Sequence, residues 1–162
     1  MAARDVILIG VIIFAFAISV FIVHNMMGQV VTKIVANDVV NSSEEAVEAF
    51  GSITTKITPR FDYMVFGLFI GLILALIITG FMVGGHPIFM AIYFIFVVIS
   101  VVLATVFNFV WESVTNASIF GATINSFTYT NNILTNLPIY MAIVGFIGIV
   151  VMFAKSYMVG TE

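Results

Sequence analysis

The side chains that could perform acid–base, nucleophilic or metal chemistry are few in this sequence. It has two histidines, eight carboxylates and no cysteine in 162 residues. His24 and His86 lie in separate polar stretches, and neither belongs to an HExxH pattern or to a recognisable Ser–His–Asp arrangement. We therefore expect a protein that is not an enzyme and that binds no metal, no cofactor and no small-molecule substrate.

Polar residues do interrupt the long apolar runs, but all of them are neutral: Ser19, Thr79, Ser100, Thr105 and Asn108. Each can bond to a backbone carbonyl or to a neighbouring helix. Proton or ion transport through a bilayer usually requires ionisable groups at depth, despite an insertion cost of about 2.5–3.5 kcal/mol each. The pattern therefore disfavours a proton pump or an ion-coupled carrier and favours helix packing.

The composition excludes a soluble domain. Hydrophobic residues make up 62% of the chain and charged residues 8%, whereas an average globular protein carries roughly 25% charged residues. Five Lys and Arg residues against eight acidic ones give a net charge of −3. Nucleic acid is an unsuitable partner, because its binding depends on clustered cations. The lipid bilayer is the expected surroundings.

Four apolar segments are long enough to cross about 30 Å of hydrocarbon as helices. They comprise residues 6–23, 63–83, 88–110 and 137–154. We expect one all-α membrane domain over residues 1–162, a four-helix bundle whose polar segments 24–62 and 111–136 lie on the same side. We call that side the loop side.

The two connections that flank the second span carry local signals. Ser42 and Glu45 match a capping box, and the residues after them have apolar side chains at helical spacing: Ala46, Val47, Phe50, Ile53 and Ile57. A short amphipathic helix between spans one and two is predicted, packed on its own bundle or against a membrane surface or partner. Gly84-Gly85-His86-Pro87 is so short that it predicts an antiparallel hairpin of spans two and three.

Charged and aromatic residues cluster where the predicted spans end on the loop side: Arg60, Asp62, Tyr63, Trp111, Glu112 and Tyr140. Tyr and Trp are typical of membrane–water interfaces. An Arg60–Glu112 contact is one interpretation of the charges, and either it orients the protein or the group binds an anionic lipid or a partner.

Small residues indicate where helices approach each other. Gly67 and Gly71 form a GxxxG pattern, which lets another helix come close, and Ala75 continues it. This pattern predicts either packing within the chain or oligomerisation. Gly145 and Gly148 in the fourth span are assigned a similar packing role.

The segment 114–136 is rich in Asn, Thr and Ser, has no Lys or Arg, and still carries aromatic residues. A freely solvated linker would have fewer aromatics, so we expect an ordered loop packed against something. Residues in the two polar segments are predicted to contact a partner: Phe50, Ile53, Phe120, Phe127 and Tyr129.

The stretch Asn131-Asn132-Ile133-Leu134-Thr135-Asn136-Leu137-Pro138, which runs into an apolar helix ending at Lys155, resembles small multi-pass membrane proteins of tailless viruses and phages that have an internal membrane. The resemblance covers about the last third of the chain and transfers no functional residue. It implies a structural protein in the virion membrane beneath a protein shell.

Three functional hypotheses follow from the sequence. The leading one is a non-catalytic structural subunit of a membrane-associated assembly, in contact with other subunits, a capsid layer or further copies of itself. The second is a holin-like or pore-forming protein, and the third is an accessory subunit of a respiratory or transport complex.

Overall fold

The computed structural model describes residues 2–83 and 87–159, and every regular element in this part of the chain is an α-helix. The helices are α1 (Ala2–Val35), α2 (Asp38–Asn41), α3 (Glu44–Val83), α4 (Pro87–Thr115), α5 (Gly121–Ile124), α6 (Thr128–Thr135) and α7 (Leu137–Val159). Four of them, α1, α3, α4 and α7, are long and apolar enough to cross a membrane. The prediction of an all-α bundle with four spans is confirmed.

The four long helices form a ring in which each packs against two neighbours. Helix α1 packs mainly against α3 and α4, and α7 packs mainly against the same two helices. Helices α3 and α4 follow each other in the chain but lie diagonally across the bundle, so they do not pack as the predicted antiparallel hairpin. Their apolar faces are buried on α1 and α7 instead. The connection itself, Gly84-Gly85-His86, lies outside the described residues.

The bundle core is a seam of side chains spaced three or four residues apart on each long helix. On α1 the buried apolar positions include Val6, Ile9, Ile13, Ala17 and Phe21. The seam of α4 comprises Tyr93, Val97, Ser100, Ala104 and Trp111, and that of α7 includes Leu137, Met141, Val144 and Met152. This spacing is typical of left-handed helical bundles. Large apolar side chains are exposed on the outer faces, as expected of a surface that meets lipid.

Two of the spanning helices are longer than a bilayer requires. At about 1.5 Å of rise per residue, α1 is about 51 Å long and α3 about 60 Å, against roughly 30 Å of hydrocarbon. Their loop-side parts pack antiparallel, and α2 joins them. We call residues 24–58 the projecting hairpin.

The short amphipathic helix predicted between spans one and two is the N-terminal part of α3, which continues without interruption into the second span. Its cap lies one residue later than the pattern of Ser42 and Glu45 indicates. Ser42 ends α2, and its amide already donates to the carbonyl of Asp38. The Ser43 hydroxyl instead accepts the amide of Ala46 at 3.4 Å. Helix α3 therefore begins at Glu44.

Candidate functional site

Asp62 of α3 caps the N-terminus of α6 across the bundle. Its Oδ2 accepts the amide of Tyr129 at 2.9 Å, and its Oδ1 accepts the amide and the hydroxyl of Thr130 at 2.7 and 2.8 Å. Phe127, at the cap position of α6 itself, makes no side-chain cap. A carboxylate that is only 4% exposed thus satisfies the first turn of α6, at the end where the helix dipole favours an anion.

Helix α4 holds the other end of α6. The side-chain amide of Asn108 donates to the carbonyl of Thr135 at 2.7 Å and to that of Leu134 at 3.3 Å. Both carbonyls belong to the last turn, which has no partners within the helix. The indole N–H of Trp111 donates to Oδ1 of Asn131 at 3.0 Å. Helix α6 is therefore tied to α3 at its start and to α4 along its length.

Phe127 anchors the chain just before α6. It is fully buried, and its ring meets Phe21 and His24 edge to face, with centroids 5.5 and 5.2 Å apart. Phe21 also contacts Trp111 at 5.0 Å and Phe120 at 5.3 Å. This aromatic cluster closes the loop-side end of the bundle and gives the segment 111–136 a fixed position.

His24 and Asn25 join the projecting hairpin to this closed end. The Thr58 hydroxyl lies 3.1 Å from Nε2 of His24, and the Thr123 hydroxyl donates to Oδ1 of Asn25 at 3.0 Å. A cleft of about 540 Å³ opens beside them, between α1 and the segment 119–126. Within residues 2–83 and 87–159, no group of three His, Cys, Asp or Glu side chains could hold a metal ion.

Most of the neutral polar residues in the spans bond to their own helix. The hydroxyls of Ser19, Ser100 and Thr105 each donate to the carbonyl four residues earlier, at 2.7, 2.9 and 2.9 Å. Asn108 reaches α6 instead, and the side chain of Thr79 lies outside the described residues. Ser100 is buried in the bundle, whereas Ser19 and Thr105 are exposed on its outer surface.

Gly145 and Gly148 lie where α7 meets α4. A Cβ added to Gly145 would overlap a methyl group of Val97, and one added to Gly148 would overlap the hydroxyl oxygen of Tyr93. The two glycines let the side chains of Val97 and Tyr93 lie directly against the backbone of α7. The Tyr93 hydroxyl is buried and makes no hydrogen bond to any described residue.

Gly67 and Gly71, in contrast to Gly145 and Gly148, lie on the outer surface of the bundle. Nothing lies within 4 Å of a Cβ added at either position, and Ala75 is exposed on the same helix. The GxxxG pattern therefore makes no helix crossing among the described residues. It forms part of the outer surface of α3.

The predicted interfacial residues divide between interior and surface. Trp111 is fully buried rather than part of a lipid-facing belt, and the Tyr140 hydroxyl donates to Oδ1 of Asn132 at 2.8 Å. Arg60 and Glu112 are exposed, and neither forms an ion pair among the described residues. The side chains of Lys155 and Tyr157, at the opposite end of the bundle, lie outside the part that the structure describes.

The predicted partner-contact residues are also divided. Phe127 is wholly buried, Phe50, Ile53 and Phe120 are half-buried, and Tyr129 is 42% exposed. Phe127 is unavailable to a partner, because it fills the aromatic cluster.

Four further apolar side chains are well exposed outside the predicted spans and are not among the predicted contact residues: Met26, Val30, Val39 and Ile119. Met26 and Val30 could have been found from their spacing, because they lie one turn apart on the face of α1 opposite the buried Val31 and His24.

No family model, curated protein or solved structure matches this chain.

Proposed function

We propose that this protein is a non-catalytic structural subunit of a membrane-associated assembly and that it acts by contact through its loop-side surface. The projecting hairpin carries the proposal. It extends about 17 Å beyond the level of His24, and α2 joins its helices at a tip where Val39 is 79% exposed. A pair of helices held clear of the bilayer can reach a neighbouring protein layer.

The rest of the loop-side surface supports the same role because it is rigidly held. Asp62 and Asn108 satisfy the two ends of α6, and Phe127 anchors the chain just before it. A loop fixed at both ends presents its side chains in one arrangement, which lowers the entropy cost of binding.

Exposed apolar groups on this surface supply the contact chemistry. Met26 is 60% exposed, Val30 53% and Ile119 66%, and all three lie outside the predicted spans. Apolar groups left in water next to polar ones often mark interaction sites. In the virion setting that the last third of the sequence suggests, the partner is a capsid layer above the membrane.

Crosslinking in the native membrane tests the proposal. The chain has no cysteine, so single-cysteine variants at Val39 and Met26 can carry a photoactivatable crosslinker, with Ile95, exposed on the lipid-facing side of α4, as the matched control. We expect the same partner protein to be captured from both hairpin positions and only lipid from Ile95. Identical patterns at Val39 and Ile95 would overturn the proposal, as would dye release from liposomes that contain the pure protein.

A further inference from the structure

The outer face of α3 combines two cations, a tyrosine and two glycines in one continuous strip. Lys56, Arg60, Tyr63, Gly67 and Gly71 are all exposed, and their spacing of three or four residues places them on one helix face. From this face we propose that α3 binds an anionic phospholipid, with the phosphate at Lys56 and Arg60 and an acyl chain along Gly67 and Gly71. We call this strip the α3 lipid site.

The heights of these residues match the layers of a membrane. Tyr63 is at the loop-side end of the predicted second span, and Arg60 and Lys56 lie about 4.5 and 10 Å further out along the helix. Phosphate groups occupy this zone, since the headgroup layer adds roughly 5–8 Å to each side of the hydrocarbon. A long Lys side chain can bend back toward that layer.

The two cations have no anionic partner in the part of the protein that the structure describes. Neither Lys56 nor Arg60 forms an ion pair among the described residues. The nearest carboxylate in sequence, Asp62, is buried on the other side of α3 and is engaged by three hydrogen bonds from α6. A guanidinium group beside an ammonium group, both uncompensated, favours a phosphate.

Aromatic rings form a fixed rim beside the site. The Tyr129 ring lies 5.4 Å from that of Tyr63 and 5.2 Å from that of Phe66, and the Tyr129 amide is held by Asp62. Tyrosine rings at this depth have their apolar part toward the hydrocarbon and their hydroxyls toward the headgroups. The hydroxyls of Tyr63 and Tyr129 have no hydrogen-bond partner among the described residues.

Gly67 and Gly71 leave room for a chain below the cations. They lie about 6 and 12 Å deeper than Tyr63, and the space where each Cβ would be is open. Exposed Met64, Ile70 and Leu74 stand beside them. An acyl chain can therefore contact the backbone of α3 at these two glycines.

The charges argue against a second copy of the protein as the occupant. A two-fold pair of parallel molecules in one membrane would place equivalent residues at equal depth. Lys56 and Arg60 of one copy would then face the same cations of the other copy. The resulting electrostatic repulsion is absent when an anionic lipid occupies the site.

Native mass spectrometry of lipid adducts tests the α3 lipid site. After reconstitution with equal phosphatidylglycerol and phosphatidylcholine, we expect the wild type to retain phosphatidylglycerol in roughly thirtyfold preference, as two cations at the surface would give. The Lys56→Gln/Arg60→Gln variant should lose this preference, whereas Lys33→Gln, which changes a cation on the projecting hairpin, should keep it. Equal preference in all three proteins would refute the site.

Additional variants and a competition with inorganic phosphate distinguish a bound lipid from other occupants of the site. Gly67→Leu/Gly71→Leu should lower retention of phosphatidylglycerol, and Ala15→Leu, at an exposed position of α1, should not. Displacement of the lipid by millimolar inorganic phosphate, with no effect of the Leu variant, would assign the cations to a free anion instead. Efficient disulfide dimerisation of Gly67→Cys would assign this face of α3 to a second copy.

One measurement needs no variant. If the preference arises from the two cations, it should fall as ionic strength rises. A wild-type preference that is absent, or that salt leaves unchanged, contradicts the proposal.

Discussion

A single carboxylate links the second span to the loop that covers the bundle. Asp62 receives its three hydrogen bonds from residues 67 and 68 positions further along the chain. Removing it leaves two amides and a hydroxyl without their acceptor in a buried place, and each such group costs about 1–3 kcal/mol.

Asp62→Ala should therefore lower the free energy of unfolding by roughly 3 kcal/mol, and Asp62→Asn should lower it by less because one acceptor oxygen remains. Steric trapping or thermal unfolding in a mild detergent measures the change. Glu112→Ala is the control, since Glu112 is exposed and forms no ion pair among the described residues. Equal stability of Asp62→Ala and Glu112→Ala would show that the cap contributes nothing.

The two pairs of glycines should respond in opposite ways to an added methyl group. Gly148→Ala should destabilise the protein by about 1–3 kcal/mol, because its Cβ would overlap the Tyr93 ring. Gly67→Ala should be neutral or stabilising by up to about 1 kcal/mol, because its surroundings are open and Ala favours the helix. Unfolding measurements on the two variants, made side by side, check this contrast.

Tyr93 provides a further test of the same contact. Its hydroxyl is buried without a described partner, so Tyr93→Phe should leave stability unchanged or raise it slightly. Combined with Gly148→Ala, it should recover part of the loss, because the closest oxygen is removed. Strict additivity of the two changes in a double-mutant cycle would mean that the two residues do not interact.

At the scale of the element, the long helices differ along their length. Helix α3 packs against α1, α7 and α6, and also against α2, which directly precedes it in the chain. None of the described side chains of residues 44–57, in the projecting hairpin, is fully buried. Phe50 and Ile53 are only half-buried there. Few buried contacts mean a low free energy of local opening.

Hydrogen–deuterium exchange in lipid nanodiscs should divide α3 accordingly. Amides of residues 46–56 should exchange at least tenfold faster than those of residues 64–76, although one continuous helix contains both. The amides of residues 128–135, in α6, should exchange as slowly as those of a spanning helix, because Asp62 and Asn108 form hydrogen bonds with the backbone at the two ends of α6. Uniform protection throughout α3 would indicate that the whole helix lies within the membrane.

At the scale of the whole molecule, the arrangement of helices specifies a topology. Four helices are long and apolar enough to cross a membrane, and if all four do so, the tip of the projecting hairpin and the segment 111–136 lie on one side and residue 4 on the other. Single cysteines at Val39 and Ile119, both exposed, should therefore react alike with an impermeant maleimide in sealed liposomes, and a cysteine at Arg4 should react oppositely. Different behaviour of Val39 and Ile119 would exclude this topology.

The sequence by itself determined the class of the molecule. Four apolar runs without a formal charge at their centres can satisfy their backbone groups in hydrocarbon only as helices, and their number and approximate positions were predicted correctly. The neutral character of Ser19, Ser100 and Thr105 likewise predicted hydroxyls that bond to neighbouring carbonyls.

Only the tertiary structure decided which face of each helix points inward. In lipid both faces of a span are apolar, so hydrophobic periodicity is weak and cannot distinguish Gly148, which lies against Tyr93, from Gly67, which lies in the open. Because the periodicity is weak, the sequence also did not indicate that Trp111 is buried or that α3 and α4 lie diagonally across the bundle. The cap of α6 by Asp62 joins residues far apart in the chain, and such a pairing has no local signal because packing alone brings the two together.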